Sequence, residues 1–115
     1  MIEDKLIIRI FEEVGGDTAI SVDSGDKIYH KIDQAIENGH QVTLDFQNIK
    51  LIITAFLNAA IGQLYSKYTS EQLTNSLEIQ NIKPEDVRIF NKVIERAKEY
   101  FANPKEFDAT AQNSL

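Results

Sequence analysis

The sequence predicts one α/β domain: a mixed four-stranded sheet with an N-terminal antiparallel hairpin, covered by about three helices. Three observations predict it. Runs of period-two alternation give way to runs of helical spacing and back again along the chain. Gly, Asn, Asp and Pro punctuate the changes. The first two β-favouring runs are separated only by Gly15-Gly16-Asp17, whereas the later ones are separated by helices, which favours parallel pairing there.

In the segment 5–14, Leu6, Ile8 and Ile10 alternate with Ile7, Arg9 and Phe11, which predicts a strand. Gly15-Gly16-Asp17 is a turn, and Ala19-Ile20-Ser21-Val22 supplies the second arm of a hairpin. Ile28, Ile32, Ala35 and Ile36 then mark the inward face of a helix with Asp23 or Ser24 as N-cap, Asn38-Gly39 as stop, and Lys27, Lys31, Asp33, Gln34 and Glu37 outward. Val42, Leu44 and Phe46 alternate with Thr43 and Asp45, predicting a central strand over 41–46. Thr54 is the predicted N-cap of a helix running from Ala55 to about Tyr68. Phe56, Leu57, Ala60, Ile61, Leu64 and Tyr65 make it the most buried helix, and the small Ala59 and Gly62 admit a close backbone.

Thr69-Ser70-Glu71 closes that helix, and Leu77 and Ile79, alternating with Glu78 and Gln80, predict a strand over 76–81. Pro84, Glu85 and Asp86 suit the first turn of a helix over 85–101, whose core face is Phe90, Val93, Ile94, Ala97 and Phe101. Arg96 and Lys98 favour its C-terminal half, and Asn103-Pro104 ends it. The domain is accordingly placed at 1–103, with an aperiodic, mobile tail at 104–115.

The 115 residues suffice for one core, and the composition, 43% hydrophobic and 26% charged, is that of a folded globular chain. Twelve basic against eighteen acidic residues give a net charge of -6, which argues against nucleic acid as a partner. The absence of Cys excludes disulfides and thiolate metal sites. The acids Glu3 and Asp4 and the break at Arg9 do not fit a targeting segment, and no run is long and apolar enough for the membrane, so the expected location is the cytoplasm.

None of the familiar phosphate-loop, dinucleotide, zinc-protease or nucleophile-elbow motifs occurs. His30 and His40 are read as surface imidazoles, not metal ligands. The pairs Glu12-Glu13 and Glu85-Asp86 are explained by divergence along a strand and by a helix dipole. The expectation is a non-enzyme without cofactor or metal. Attention falls on the C-terminal ends of the parallel strands, at 23–25, 45–54 and 81–85.

The stretch Asp45-Phe46, Ile49, Thr54 and Phe56, with the later Ile79-Gln80-Asn81-Ile82, resembles the STAS-like family of small bacterial proteins, related to the STAS domains of anti-sigma factor antagonists. The resemblance covers about residues 5 to 100. It implies a helix start that meets a partner protein, often a histidine-kinase-like ATPase, and a second Ser that is phosphorylated to switch binding off. Here Ile53, Thr54, Ala55 and Phe56 stand where the antagonists have Asp-Ser-Ser-Gly, so Ala55 replaces the phosphoacceptor. The STAS-like pattern Ser-Phe-Ala-Asp-Glu corresponds to Ala55-Phe56-Leu57-Asn58-Ala59, without the hydroxyl and both carboxylates.

The expected function is therefore a non-catalytic regulatory interaction module that docks a protein through 48–58, with Asn48, Lys50, Thr54, Ala55 and Asn58 as contact residues. Thr54 is also a candidate phosphorylation site, weighed against a simple N-cap contributing about 1 kcal/mol. The alternative is a small-ligand sensor that holds a nucleotide or phosphate near Asp23, Asp45 and Thr54, with Lys27 and Lys50 as its cations. Asp45 has a plainer reading, as acceptor for the turn that follows it. Tyr65 and Tyr68 are read as rim packing. Homodimerisation through an unpaired edge strand of the hairpin is a further expectation.

Overall fold

Residue 10 is where the chain departs from a simple hairpin. The structure, a computed structural model, describes residues 5–102. The first strand, β1 (Lys5–Arg9), passes directly into a short helix, α1 (Ile10–Val14). Ile10 and Val14, one turn apart, both face the core, which period-two alternation cannot provide. Gly15 stops the helix at φ 77°, a left-handed C-cap whose N–H donates to the Phe11 carbonyl at 3.1 Å. After that turn the chain runs on as β2 (Thr18–Ala19), which pairs not with β1 but, in parallel, with β4 (Leu51–Ile52). The predicted antiparallel hairpin is thus replaced by a helical connection.

The main sheet has three parallel strands in the order β1-β3-β5, with β3 (Gln41–Asp45) central and β5 (Leu77–Gln80) on its far side. The register pairs Leu6 with Val42 and Ile8 with Leu44 on one side, and Val42 with Leu77 and Leu44 with Ile79 on the other. Val42, Thr43 and Leu44 are all buried, as befits a strand covered on both faces. The Thr43 hydroxyl donates to Glu78 across the strands at 3.4 Å. The sheet is therefore neither four-stranded nor mixed: among the described residues, two small parallel sheets of three and two strands accompany five α-helices. Among the described residues, β1 and β5 are the two edges of the main sheet, and on β1 Leu6 and Ile7 are exposed.

Helix α2 (Val22–Glu37) buries Ile28, Ile32 and Ala35, as its spacing predicts. Its cap is neither Asp23 nor Ser24 but Ser21, whose Oγ accepts the Ser24 N–H at 3.2 Å. The long second helix divides. Helix α3 (Thr54–Ala60) ends at Ile61, and a 3-10 segment, Gly62–Ser66, follows. Thr69 then opens a helix instead of closing one. Its hydroxyl accepts the Gln72 N–H at 3.1 Å while Gln72 Oε1 accepts the Thr69 N–H at 2.8 Å, a capping box that starts α4 (Ser70–Ser76). A 3-10 turn, Pro84–Asp86, leads into α5 (Val87–Ala102), which buries Phe90, Val93 and Ala97. The predicted stop at Asn103-Pro104 and the tail at 104–115 lie outside the described residues.

The core runs from Ile8, Ile10, Val42, Leu44 and Phe46 on the strands and their ends to Phe56, Leu57, Ile61 and Leu64 on the segment that follows β4. Helix α2 meets α3 at Gly25. A Cβ there would stand 2.7 Å from the Phe56 carbonyl oxygen and 2.8 Å from Ala59 Cβ. Ala59 is thus one of the two small residues at this approach, as its size suggested. Tyr68 ties the 3-10 segment back to α2: its hydroxyl donates to Asp33 at 2.5 Å, and Lys67 pairs with Asp33 at 3.0 Å and Glu37 at 3.1 Å. This tyrosine belongs to the rim, and burial together with the Asp33 carboxylate pushes its phenol pKa up. No helix among the described residues is long and apolar enough to cross a membrane.

Candidate functional site

The stretch 45–58 leaves the C-terminal end of the central strand, and Asp45 organises its first turn. Asp45 Oδ1 accepts the Gln47 N–H at 2.9 Å and the Asn81 side-chain amide at 2.7 Å, linking the end of β3 to the end of β5. The Asn81 bond first, then the Gln47 N–H and the charge of Arg9, hold the Asp45 carboxyl below its ordinary pKa. Asn48 and Asn81 both adopt left-handed backbone, at φ 69° and 63°, which Asn tolerates better than most residues. Asp45 is thus an acceptor for the following turn, with a second donor from a strand distant in sequence.

These bonds make a pH statement. Because the folded Asp45 pKa lies below the unfolded value of about 4, its contribution is complete above that value and is lost as the pH falls through the folded pKa. Asn81→Gly keeps the left-handed backbone and removes only the side-chain donor. It is expected to raise the Asp45 pKa, followed by carboxyl chemical shifts, and to cost about 1 kcal/mol near neutral pH. An unchanged Asp45 titration would show that the Asn81 bond does not act in solution.

The loop beyond Asp45 is fastened on two sides. Lys50 N–H donates to the Asp17 carbonyl at 2.7 Å, and Lys83 Nζ donates to the Lys50 carbonyl at 2.6 Å. Phe46, Ile49 and Ile52 are buried beneath it, while Asn48, Lys50, Leu51, Ile53, Thr54, Ala55 and Asn58 are exposed. Strand pairing sets where α3 begins: Ile53 N–H donates to the Ala19 carbonyl at 3.2 Å. Ile53 is consequently the N-cap residue, in extended conformation, and no side chain caps the helix. The capping role expected of Thr54 is overturned, and its exposed side chain occupies the first helical position.

Two of the five predicted contact residues share a cavity. Asn48 and Lys50 lie on the loop, where Lys50 Nζ is 3.9 Å from Asp17. Thr54 and Asn58, one helical turn apart, line a cleft of about 220 Å³ whose opposite wall is α5, with Arg88, Lys92 and Arg96. Asp45 accepts from Gln47 and Asn81, and Asp23 is an exposed residue in the first turn of α2. The cations that share this cleft with Thr54 are those of α5. Their four-residue spacing was visible in the sequence, but nothing there said which helix the stripe would face.

The histidines follow their surface reading in part: His30 is exposed and stacks at a tilt on Tyr29, with ring centroids 5.2 Å apart, and His40 is half-buried beside β1. Among the described residues, no group of three or more His, Asp and Glu side chains is placed to hold a metal ion.

Against known proteins, neither a curated protein nor a solved structure matches the chain. A protein-family model does. The model described as a STAS-like domain of unknown function (DUF4325) matches residues 24–87, from the first turn of α2 to the first residue of α5. The match takes in the whole of the fastened loop and α3, and it spans more than half of the 115 residues. The chain therefore belongs to the STAS-like family DUF4325.

Proposed function

We propose that this protein is a non-catalytic regulatory interaction module that docks a partner protein on the strip 48–58. One observation carries the reading: apolar side chains stand exposed on a backbone that is already fixed. Leu51 is 50% exposed and Ile53 39%, and the β2–β4 register carried one step further sets Ile20, 43% exposed, beside Ile53. Asn48, Lys50, Thr54, Ala55 and Asn58 provide a small and polar rim around them. An apolar centre within a polar rim is the anatomy of a protein interface. A loop held by Asp17, Asn81 and Lys83 loses little further entropy when it is covered.

The partner class suggested by the resemblance to anti-sigma factor antagonists is a histidine-kinase-like ATPase. With Ala55 at the position of the usual phosphoacceptor, docking here is not switched by a serine at that site. A photo-reactive amino acid in place of Ile53 tests the reading. In the native cell it is expected to form an adduct with one partner protein, and the absence of any specific adduct at that position would defeat the proposal.

A further inference from the structure

We propose that the cleft between α3 and α5 binds a phosphate monoester, with Arg88, Lys92 and Arg96 on the phosphate and the organic body lying toward Ala97 and Phe101. The cations occupy positions four residues apart on one stripe of α5, all exposed and all lining the cleft of about 220 Å³ that Thr54 and Asn58 close from the other side. Like charges at this spacing repel one another weakly, a repulsion that an anion seated over the stripe would relieve.

Four lysines of this acidic chain are paired, whereas Arg9, Lys27 and Lys98, like the three cations of the cleft, have no ion pair among the described residues. Lys31, Lys50, Lys67 and Lys83 each lie within 4 Å of a carboxylate. Among the described residues, no such pair engages Arg88, Lys92 or Arg96, although the net charge is -6. Two guanidinium groups, an ammonium, a hydroxyl and an amide therefore line one small opening. A phosphomonoester, with three terminal oxygens and a charge of about -2, uses more of these donors than a carboxylate, which offers two oxygens.

A larger groove shares two of the cleft's lining residues. Asn58 and Arg96 also line an opening of about 540 Å³ with Gly62, Ala97 and the edge-to-face aromatic pair Tyr100 and Phe101. That end suits an apolar or aromatic body. Glu99 on its wall disfavours a second anionic group there, which points to a monophosphate over a polyphosphate. The three cations lie just beyond the residues matched by the family model, whereas Thr54 and Asn58 lie within them. The site needs no partner protein and does not rest on the docking reading.

Titrating the full chain with phenyl phosphate, inorganic phosphate, pyrophosphate and phenol at constant ionic strength, followed by amide NMR, tests the proposal. Phenyl phosphate is expected to shift Thr54 and Asn58 saturably and to bind more tightly than inorganic phosphate or pyrophosphate. Arg88→Gln and Arg96→Gln should each weaken it about tenfold while the rest of the spectrum is retained. Lys92→Glu, a charge reversal, should abolish it. Phenol binding as well as its phosphate, shifts scattered over other basic residues, or affinity indifferent to the Arg substitutions would each overturn the assignment. Failure of the Ile53 adduct would leave this result unaffected, and failure of the titration would leave the docking strip unaffected.

Discussion

Gly25→Ala is expected to destabilise the protein by about 3 kcal/mol, although Ala is the better helix former by about 1 kcal/mol. The sign is decided by the neighbour. The new Cβ would stand 2.7 Å from the Phe56 carbonyl oxygen, which belongs to the backbone of α3 and cannot swing aside like a side-chain tip. Relief requires α2 and α3 to separate, and that opens a core in which Ile28, Phe56 and Leu57 are fully buried. Denaturant unfolding measures the loss. Ala59→Gly removes the second obstruction, at 2.8 Å, but leaves the carbonyl, so the double variant should be less unstable than the sum of the singles yet well short of wild type. A neutral or stabilising Gly25→Ala would mean that the two helices do not meet at this residue.

Phe46→Ala is expected to cost about 3 to 5 kcal/mol, in the upper range for a buried aromatic ring. Phe46 is 2% exposed and meets Phe90 edge to face, with centroids 5.0 Å apart and planes at 88°. This contact joins the residue that follows β3 to α5, next to the loop on which the proposed docking strip begins. The ring therefore fills the core and supports the proposed docking surface. Phe90→Ala and the double variant complete a cycle whose coupling should be about 1 kcal/mol beyond the loss of area. Additive effects would show that the rings do not touch in solution.

Where local pattern and tertiary contact agreed, the structure was legible in the sequence. The alternation of Val42 and Leu44, the helical spacing of Ile28, Ile32 and Ala35, and the Phe90, Val93 and Ala97 face are all where their periodicity puts them. The misreadings have separate physical causes. The alternation of Leu6, Ile8 and Ile10 is short enough to pass for a single strand, although its last member already opens α1, and Gly15 as a left-handed cap was the signal for that helix. The Thr69 and Gln72 pair was a capping signature hidden by its position after an apolar run. The parallel partner of β2 could not be read locally, because two-residue strands more than thirty positions apart, Thr18 with Leu51, carry no mutual sequence signal.

The candidate site shows the same division. Asp45 as a turn acceptor followed from its place before Gln47 and Asn48, but its bond to Asn81 required the β3–β5 register. Thr54 looked like a cap because hydroxyl residues favour that position, yet the Ile53 bond to Ala19 started the helix one residue earlier. The basic wall opposite Thr54 escaped notice because a helical stripe names no neighbour.

Cross-linking from within 48–58 tests whether a partner protein docks on that strip. The photo-reactive residue is placed in turn at Ile53, at Asn58 and, as a control, at Gln34, an exposed residue on α2. One shared adduct is expected from positions 53 and 58 in the native cell, absent from position 34, with a partner of the ATPase class. The same adducts from all three positions, or none from 53 and 58, would contradict it.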